Sequence, residues 1–290
     1  MAILVGPETK VICQGMTGRT ASYHIERAMA YGTNVVGGVR PGKGGTRHLD
    51  VPIFDSVSDS VSETGADASI IFVPPASAAD AMIEAIEAEV PVVVCVTERV
   101  PVLDMVRVRD ALEGSRTSLV GPNSQGVLTP QACKLGVMST LHERPGSIGI
   151  VSRSATLTSE IVAQTSAAGL GQSTTVGIGG DPVHGIGFVD CLKLFMEDPG
   201  TKGIVLIGEI GGAEEEMAAD YLKAVKPPKP VVALVAGRHA PPERRMGHAG
   251  TLTLFGRADA NQKIKALRSA GALIAPNPQD VAETMRQSLG

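Results

Sequence analysis

Short, nearly continuous apolar runs recur along the chain, each ending in a glycine-rich or polar turn that leads into a helical pattern. In the first half they are KVICQG (10–15), NVVGGV (34–39), SIIFVPP (69–75), PVVVCVTE (91–98) and SLVGPN (118–123). A second series follows: GSIGIVSRS (146–154), STTVGIGG (173–180), KGIVLIGEIGG (202–212), KPVVALVAG (229–237) and GALIAPN (271–277). β-Branched runs without polar alternation are the signature of parallel strands covered on both faces. Segments such as ASYHIERAMAYG (21–32) and ADAMIEAIEAEV (79–90) carry the helical period between them. The alternation predicts right-handed βαβ units and an α/β fold of doubly wound sheets. LTPQACKLGVMSTLHERPG (128–146) breaks the rhythm, so two domains are expected, 1–145 and 146–290, meeting near Pro145. In open α/β sheets ligands bind beyond the carboxyl ends of the strands, which sends the search for chemistry to the strand-exit loops.

Composition narrows the class. Hydrophobic residues are 43% and charged ones 19%, a globular balance, while aromatics are only 3%, so small aliphatics must fill the interior. The net charge of −4 argues against general nucleic-acid binding, which needs a basic face. Cys13, Cys95, Cys133 and Cys191 form no CxxC pair, which suggests neither zinc nor disulfides; Cys13 and Cys95 lie in apolar runs where buried thiols are expected, and a reducing, cytoplasmic setting fits. The amino terminus does not read as a signal peptide, and no apolar run reaches the ~18 residues of a membrane span.

The first strand exits into QGMTGRTASYH (14–24), where Gly15, Gly18 and Ala21 give a G-x-x-G-x-x-A spacing related to the dinucleotide fingerprint. Such a turn lets backbone approach a phosphate at a helix N-terminus. A NAD site wants an acid at the end of the next strand; GGVRPGKGG (37–45) offers Arg40 and Lys43 instead, which suits a phosphate such as that of NADP or the 3′-phosphate of coenzyme A. Gly37 to Lys43 also fits G-x-x-x-x-G-K, but Gly44 stands where a P-loop needs Ser or Thr for Mg²⁺, so that reading is rejected.

In the second half, SRSATLTSEIVAQTSAAG (152–169) opens a helix with Ser152, Ser154 and Thr156 as possible caps, an anion cradle. GIGGDP (177–182) allows close backbone approach, GEIGG (208–212) carries Glu209, and VAG (235–237) leads towards His248 in RRMGHAG (244–250). Glu209 can orient the imidazole through one ring nitrogen, leaving the other to attack a phosphoryl group. No H-x-x-x-H or Cys/His spacing includes His248, so no metal is expected there. An NADP-dependent oxidoreductase is disfavoured, because the second half offers phosphate chemistry and no hydride-transfer constellation.

KVICQGMTG, AYGTNVVGGVRPGKGGTRHLDVPIFDSV, GIVSRSATLT, GQSTTVGIGGDP, IGEIGG and RRMGHAG, in this order and spanning essentially the whole chain, closely resemble the succinyl-CoA synthetase alpha-subunit family. The resemblance implies a Rossmann-like CoA-binding domain followed by a flavodoxin-like ligase domain. It implies an enzyme of the tricarboxylic acid cycle type that converts acid, CoA and nucleoside triphosphate into acyl-CoA, nucleoside diphosphate and phosphate. An acyl phosphate and a phosphohistidine at the position of His248, steadied by Glu209, are the intermediates it implies. It implies CoA at Thr17, Gly18, Arg19, Thr20, Lys43, Val96, Thr97 and Glu98, and phosphate or substrate at Ser154, Ala155, Thr156, Ser159, Gly179 and Gly180. It implies an ATP-grasp beta subunit, in a heterodimer or heterotetramer, holding ATP or GTP with Mg²⁺. Several positions depart from the family pattern. Ala155 and Ala21 replace glycines, Ser159 replaces a Tyr, Ser124 and Gln125 stand in GPNSQG for GPNCPG, TER with Arg99 replaces TEG, and TLTLFGR brings Phe255 and Arg257. The resemblance implies succinate or a related dicarboxylate as the acid; losing the Tyr at Ser159 opens volume, which makes malate, citrate, or a sulfonated or sulfinated acid the alternative. A CoA-binding regulatory subunit without turnover is the non-enzymatic alternative.

Overall fold

The computed structural model describes residues 2–241, 246–251 and 259–290. The chain forms two compact units, one of residues Leu4–Met138 with Val183–Gly185, the other of the first few residues with Ser139–Pro182 and Ile186–Gly290.

In the Leu4–Met138 unit the elements are β1 (Lys10–Gln14), α1 (Arg19–Tyr31), β2 (Asn34–Val39), β3 (Arg47–His48), β4 (Val51–Phe54), α2 (Val57–Thr64), β5 (Ala68–Ile71), α3 (Pro75–Glu87), β6 (Val92–Cys95), α4 (Val102–Leu112), β7 (Ser118–Val120), β8 (Gly126–Thr129) and β9 (Cys133–Gly136). The sheet order is β3-β4-β2-β1-β5-β6-β7. All of these strands pair in parallel except β3, which runs antiparallel to β4. Numbering only the parallel strands gives 3-2-1-4-5-6, the Rossmann order, with its switch point between β1 and β5. The central strands are largely buried, β5 and β6 at all four positions each, as expected of a sheet sandwiched by helices. α1 shows why its sequence is a helix. Ala21, Ile25 and Ala28 make one buried stripe at helical spacing. Gly32 ends it in the left-handed region (φ 104°), its N–H returning to the carbonyls of Ala28 and Met29. Tandem prolines 74 and 75 start α3. The break in rhythm at 128–146 begins with β8 and β9, an antiparallel hairpin.

The other unit contains β10 (Pro145–Ser152), α5 (Ala155–Ala167), β11 (Gln172–Gly177), α6 (Phe188–Glu197), β12 (Gly203–Glu209), α7 (Glu214–Val225), β13 (Val231–Ala236), α8 (Ala260–Ser269), β14 (Leu273–Ile274) and α9 (Val281–Leu289). Its parallel strands lie in the order β14-β13-β12-β10-β11. Counted along the chain this is 2-1-3-4-5, the flavodoxin-like order, with the switch point between β10 and β12. β12 is buried at all seven positions. Gly149 in β10 is dictated by packing, since a Cβ there would lie 2.5 Å from the ring of buried Phe195. The four cysteines are unpaired and buried. Among the described residues no helix is long and apolar enough to cross a membrane. The α/β class and both predicted sheet types are therefore present. β4, which the apolar pattern did not single out, adds a strand between β2 and β3.

Candidate active site

In the Rossmann-like unit a cleft of about 420 Å³ opens at the switch point, lined by Gln14, Gly15, Val39, Arg40, Val73 and Pro74 among others. Gly15 takes φ 79°, and a Cβ there would meet the Phe72 carbonyl at 3.0 Å, so the tight exit from β1 requires glycine. Its carbonyl accepts from Gly18 N (3.0 Å), and α1 starts at once with no side-chain cap and no acid in its first turn. Thr17, Gly18, Arg19 and Thr20 are exposed at that helix start, where N–H groups and dipole favour an anion. Arg40 lines the cleft. Lys43 lies on the same turn, exposed, and the turn has a fixed shape. Asp55 Oδ1 accepts from the backbone N–H of Lys43 (3.1 Å) and of Gly44 (2.9 Å). These backbone donors, Gly44 first, hold the Asp55 carboxyl below its ordinary range. A Cβ on Gly44 would reach that carboxylate at 2.5 Å. The glycine loop that resembles a P-loop in sequence thus donates its backbone N–H groups to a carboxylate of the same chain. Thr97 is buried, its Oγ1 donating to Val73 O (2.7 Å), beside half-buried Val96 and exposed Glu98. Arg40 is the one predicted basic residue on the cleft wall, and Thr17–Thr20, Lys43 and Thr97 adjoin the wall through Gly15, Arg40 and Val73. Asp80 and Glu84, not anticipated, also line the cleft, and Asp80 is paired with Arg107 (2.9 Å).

In the flavodoxin-like unit the register brings four strand exits to one level: Ser152 pairs with Gly177 and with Ile207, and Glu209 with Ala236. His248 Nδ1 lies 2.9 Å from each carboxylate oxygen of Glu209, the last residue of β12. An ionised carboxylate only accepts, so Nδ1 carries the proton and Nε2 presents its lone pair. The Glu209 hydrogen bond raises the imidazole's proton affinity above the usual value, with Asp181 adding to it, while partial burial and Arg153 oppose. The ring rests on Gly180: a Cβ there would come within 2.2 Å of Nδ1. Thr251 locks the turn, donating to His248 O (2.7 Å) and accepting from Met246 N (3.0 Å). Ser154 caps α5 by accepting from Leu157 N (3.3 Å), and the first turn carries no acid.

The other histidines with described ring contacts serve the fold. His24 stacks on Phe72, with centroids 5.8 Å apart, and His48 Nε2 meets Ser22 Oγ at 2.7 Å. The structure thus unites His248, Glu209 and Gly180 directly, with Gly179 in the same turn. Ser154, Ala155 and Thr156 sit at the neighbouring exit of β10. Sequence reasoning missed Arg153, which pairs with Glu209 at 3.3 Å although it lies inside the quoted SRSATLT stretch, and it missed Asp181. The departures from the family pattern are locally accommodated. Ala155 is the first residue of α5 and exposed, and Ala21 packs on the buried stripe of α1. Ser124 Oγ accepts from Gly126 N (2.8 Å). Ser159 is exposed on α5, its Oγ donating to Ala155 O (3.3 Å). Arg99 is different: its φ of 62° lies in the left-handed region that suits the glycine of TEG. Arg244, Arg245, Phe255 and Arg257 lie outside the described residues.

Comparison with known proteins identifies the family of each unit. Residues 7–99 match the CoA binding domain family and residues 151–273 the CoA-ligase family. The chain is 48% identical over 285 residues to the succinate–CoA ligase [ADP-forming] subunit alpha of Staphylococcus aureus, covering 98% of this chain and 94% of that one. It is 50% identical over 291 residues to the subunit of the same name from Aquifex aeolicus, covering 100% and 95%. Among solved structures, ATP citrate lyase from Methanothrix soehngenii, in complex with citrate and coenzyme A, superposes with TM-score 0.88 at 25% identity, over 99% of this chain and 50% of that one. The dinucleotide forming acetyl-coenzyme A synthetase 1 of Ca. Korarchaeum cryptofilum shares the fold, at TM-score 0.79 and 20% identity over 97% and 61% of the two chains. A Rossmann-like unit with a phosphate-friendly helix start, a flavodoxin-like unit with a carboxylate-braced histidine, and full-length relatives near half identity place this CoA ligase in the succinate–CoA ligase alpha-subunit family.

Proposed function

We propose that the chain joins an acid to CoA at the expense of a nucleoside triphosphate, with His248 as the phosphoryl carrier. The observation that carries the reading is the grip of both Glu209 oxygens on Nδ1 at 2.9 Å, which leaves Nε2 as the nucleophile. Nε2 attacks phosphorus, a P–O bond to the nucleoside diphosphate breaks, and the ring becomes a phosphorylated imidazolium. Glu209 compensates that developing positive charge through Nδ1–H. The acid's carboxylate oxygen then takes the phosphoryl group as the P–N bond breaks; the thiol sulfur of CoA attacks the acyl carbon of the resulting acyl phosphate, the C–O bond to phosphate breaks, and phosphate leaves with the thiol proton. The start of α5, with Ser154, Ala155 and Thr156, and the Gly179–Gly180 turn supply N–H groups and close backbone for the phosphoryl oxygens. Coenzyme A fits the Rossmann-like unit: the uncapped start of α1 and the Arg40–Lys43 turn suit its phosphates, and Val96, Thr97 and Glu98 would meet it from the exit of β6, where Thr97 is hydrogen-bonded to the cleft residue Val73. The relatives are named as alpha subunits, and a beta subunit of ATP-grasp type would hold the ATP or GTP with its Mg²⁺, the assembly working in the cytoplasm.

Succinate or a related dicarboxylate is the leading acid. A second reading, a larger or differently charged acid such as malate, citrate, or a sulfonated or sulfinated one, rests on the small exposed Ser159 on α5 where the family carries Tyr. Intact-mass analysis after incubation with Mg-ATP and the cognate beta subunit tests the carrier. One acid-labile phosphate is expected on the wild type and none on His248→Asn. An unmodified wild type with a competent beta subunit would hand the lead to the non-catalytic CoA-binding reading.

A further inference from the structure

α8 carries a lysine where its pattern calls for an apolar residue. Ala260, Lys263, Ile264 and Leu267 form its buried stripe, and Lys263 is 0% exposed. A buried ammonium is costly unless fully paired, and Lys263 is. Its Nζ donates to Gly211 O (2.8 Å) and to Glu215 Oε2, and lies 3.4 Å from Glu216 Oε2. Glu215, also 0% exposed, turns its other oxygen to Arg153 Nη1 (3.2 Å) and accepts the backbone N–H of Glu209 (2.9 Å). Arg153 reaches the Gly211 carbonyl (3.1 Å) with Nη1 and Glu209 Oε1 (3.3 Å) with Nη2. The chain of contacts alternates in sign, from Lys263 through Glu215 and Arg153 to Glu209, and ends on the carboxylate that holds His248. It also fixes the Gly211 carbonyl, in the turn packed against Gly250, where a Cβ on Gly211 would meet the Gly250 carbonyl at 1.9 Å.

We propose that Lys263 is a positioning residue for the His248 site, acting through Glu215 and Arg153 to hold Glu209 with both oxygens on Nδ1 and Nε2 left open. The proposal rests on the phosphohistidine reading for its purpose but not for its geometry. The physical content is a division of charge. Lys263 satisfies Glu215, which frees Arg153 to balance Glu209. Without Lys263, Arg153 is drawn to Glu215 and Glu209 faces His248 with less compensation. Among the described residues, the charged groups acting on the His248 ring are Glu209 from β12, Arg153 from the exit of β10 and Asp181 from the exit of β11, while Glu215 and Glu216 of α7 face Lys263. The relay therefore predicts opposite signs for its two buried members. Lys263→Met removes a positive charge and raises the titration midpoint of His248. Glu215→Gln removes a negative one and lowers it, while its amide oxygen can still accept the Glu209 N–H. The double variant restores the balance and returns the midpoint to the wild-type value.

The experiment is an imidazole titration followed by NMR on the full chain carrying ¹³C-labelled histidine, with the His248 signal identified by its loss in His248→Asn. Opposite shifts of roughly half a pH unit or more in the single variants, cancelled in the double, are expected for a charge relay at this range. Shifts of the same sign, or no shift in either variant, overturn the proposal and leave the cluster a structural staple. Should Lys263→Met fail to fold, Glu215→Gln and the charge-balanced double decide, because a staple gives neither a lowered midpoint nor its recovery. Phosphorylation by Mg-ATP and the beta subunit, measured alongside, separates the two claims: the NMR pattern without phosphohistidine on the wild type keeps the relay and refutes the carrier.

Discussion

Gly180→Ala is the sharpest local test of the site. A Cβ at this position lies 2.2 Å from His248 Nδ1 and 2.4 Å from its Cγ. Ordinary van der Waals contact begins at about 3.4 Å, so the ring must retreat by about 1.2 Å. A retreat of that size along the 2.9 Å bonds to Glu209 would stretch them to about 4 Å, beyond hydrogen-bonding range. A misplacement of about 1 Å costs on the order of 100-fold in rate, or about 2.7 kcal/mol of transition-state stabilisation. The protein itself should tolerate the change. Gly180 does not occupy the left-handed region, and the turn that carries His248 can give way. The assay is single-turnover formation of phosphohistidine in a quenched-flow instrument with the beta subunit and Mg-ATP, beside CoA affinity and thermal unfolding. The expected result is a loss of about 100-fold in phosphorylation, with CoA affinity and Tm close to wild type. Phosphorylation at the wild-type rate would mean that the ring does not work from this position, and the roles given to Glu209 and Gly180 would fall together.

Three further outcomes follow from the geometry. The neutral ring is the nucleophile and its pKa is raised above 6.5, chiefly by the Glu209 hydrogen bond, so single-turnover phosphorylation should climb with pH through a midpoint above 6.5 and then level. By linkage, the stabilisation from the His248⁺–Glu209 pair is fully present below about pH 6.5 and is lost as pH rises through the folded midpoint; Glu209→Gln should lower both midpoint and rate. Ser159→Tyr should narrow the acid range, read as kcat/KM across succinate, malate, citrate and sulfonated acids, whereas an unchanged panel would show that this face of α5 does not meet the acid. Arg99→Gly should relieve about 1 kcal/mol of left-handed strain at φ 62°, partly offset by the greater unfolded-state freedom of glycine, and so raise Tm by no more than about 2–4 °C.

How much of this was visible in the sequence depends on whether the signal was local. The parallel strands were, because a strand buried on both faces is a continuous apolar run, and VVVC in β6 or GIVLIG in β12 admits no polar interruption. The strand exits followed, and with them His248, Glu209 and the start of α5. β4 was missed because VPIF is four residues long and holds a proline, which reads as punctuation until β2 is seen to pair with it through Gly38–Ile53 and Val39–Phe54. The pattern at Lys43 offered basic residues for a phosphate but gave no sign of Asp55, twelve residues on, which accepts from the backbone N–H groups of Lys43 and Gly44 and shapes the turn.

The supports of the histidine were not local, and the topology explains why. In the 2-1-3-4-5 order the chain returns past β10 to lay down β12, so the exits of these two strands become neighbours although Arg153 and Glu209 are far apart in sequence. Glu215 on α7 and Lys263 on α8 meet across a separation of 48 residues. Periodicity reports which face of an element is buried; it cannot report that a lysine on the buried face has a carboxylate waiting on another helix. A charged residue inside an apolar stripe, such as Lys263 between Ala260 and Leu267, is the one trace such a partnership leaves in a sequence. Burying that charge is tolerable only with a paired acid, and pairing it to Glu215 releases Arg153 for the residue that holds His248. On this argument the switch point does more than open a crevice for ligands: it brings together strand ends whose charges have no relation in sequence and lets a buried network set the reactivity of a half-exposed ring.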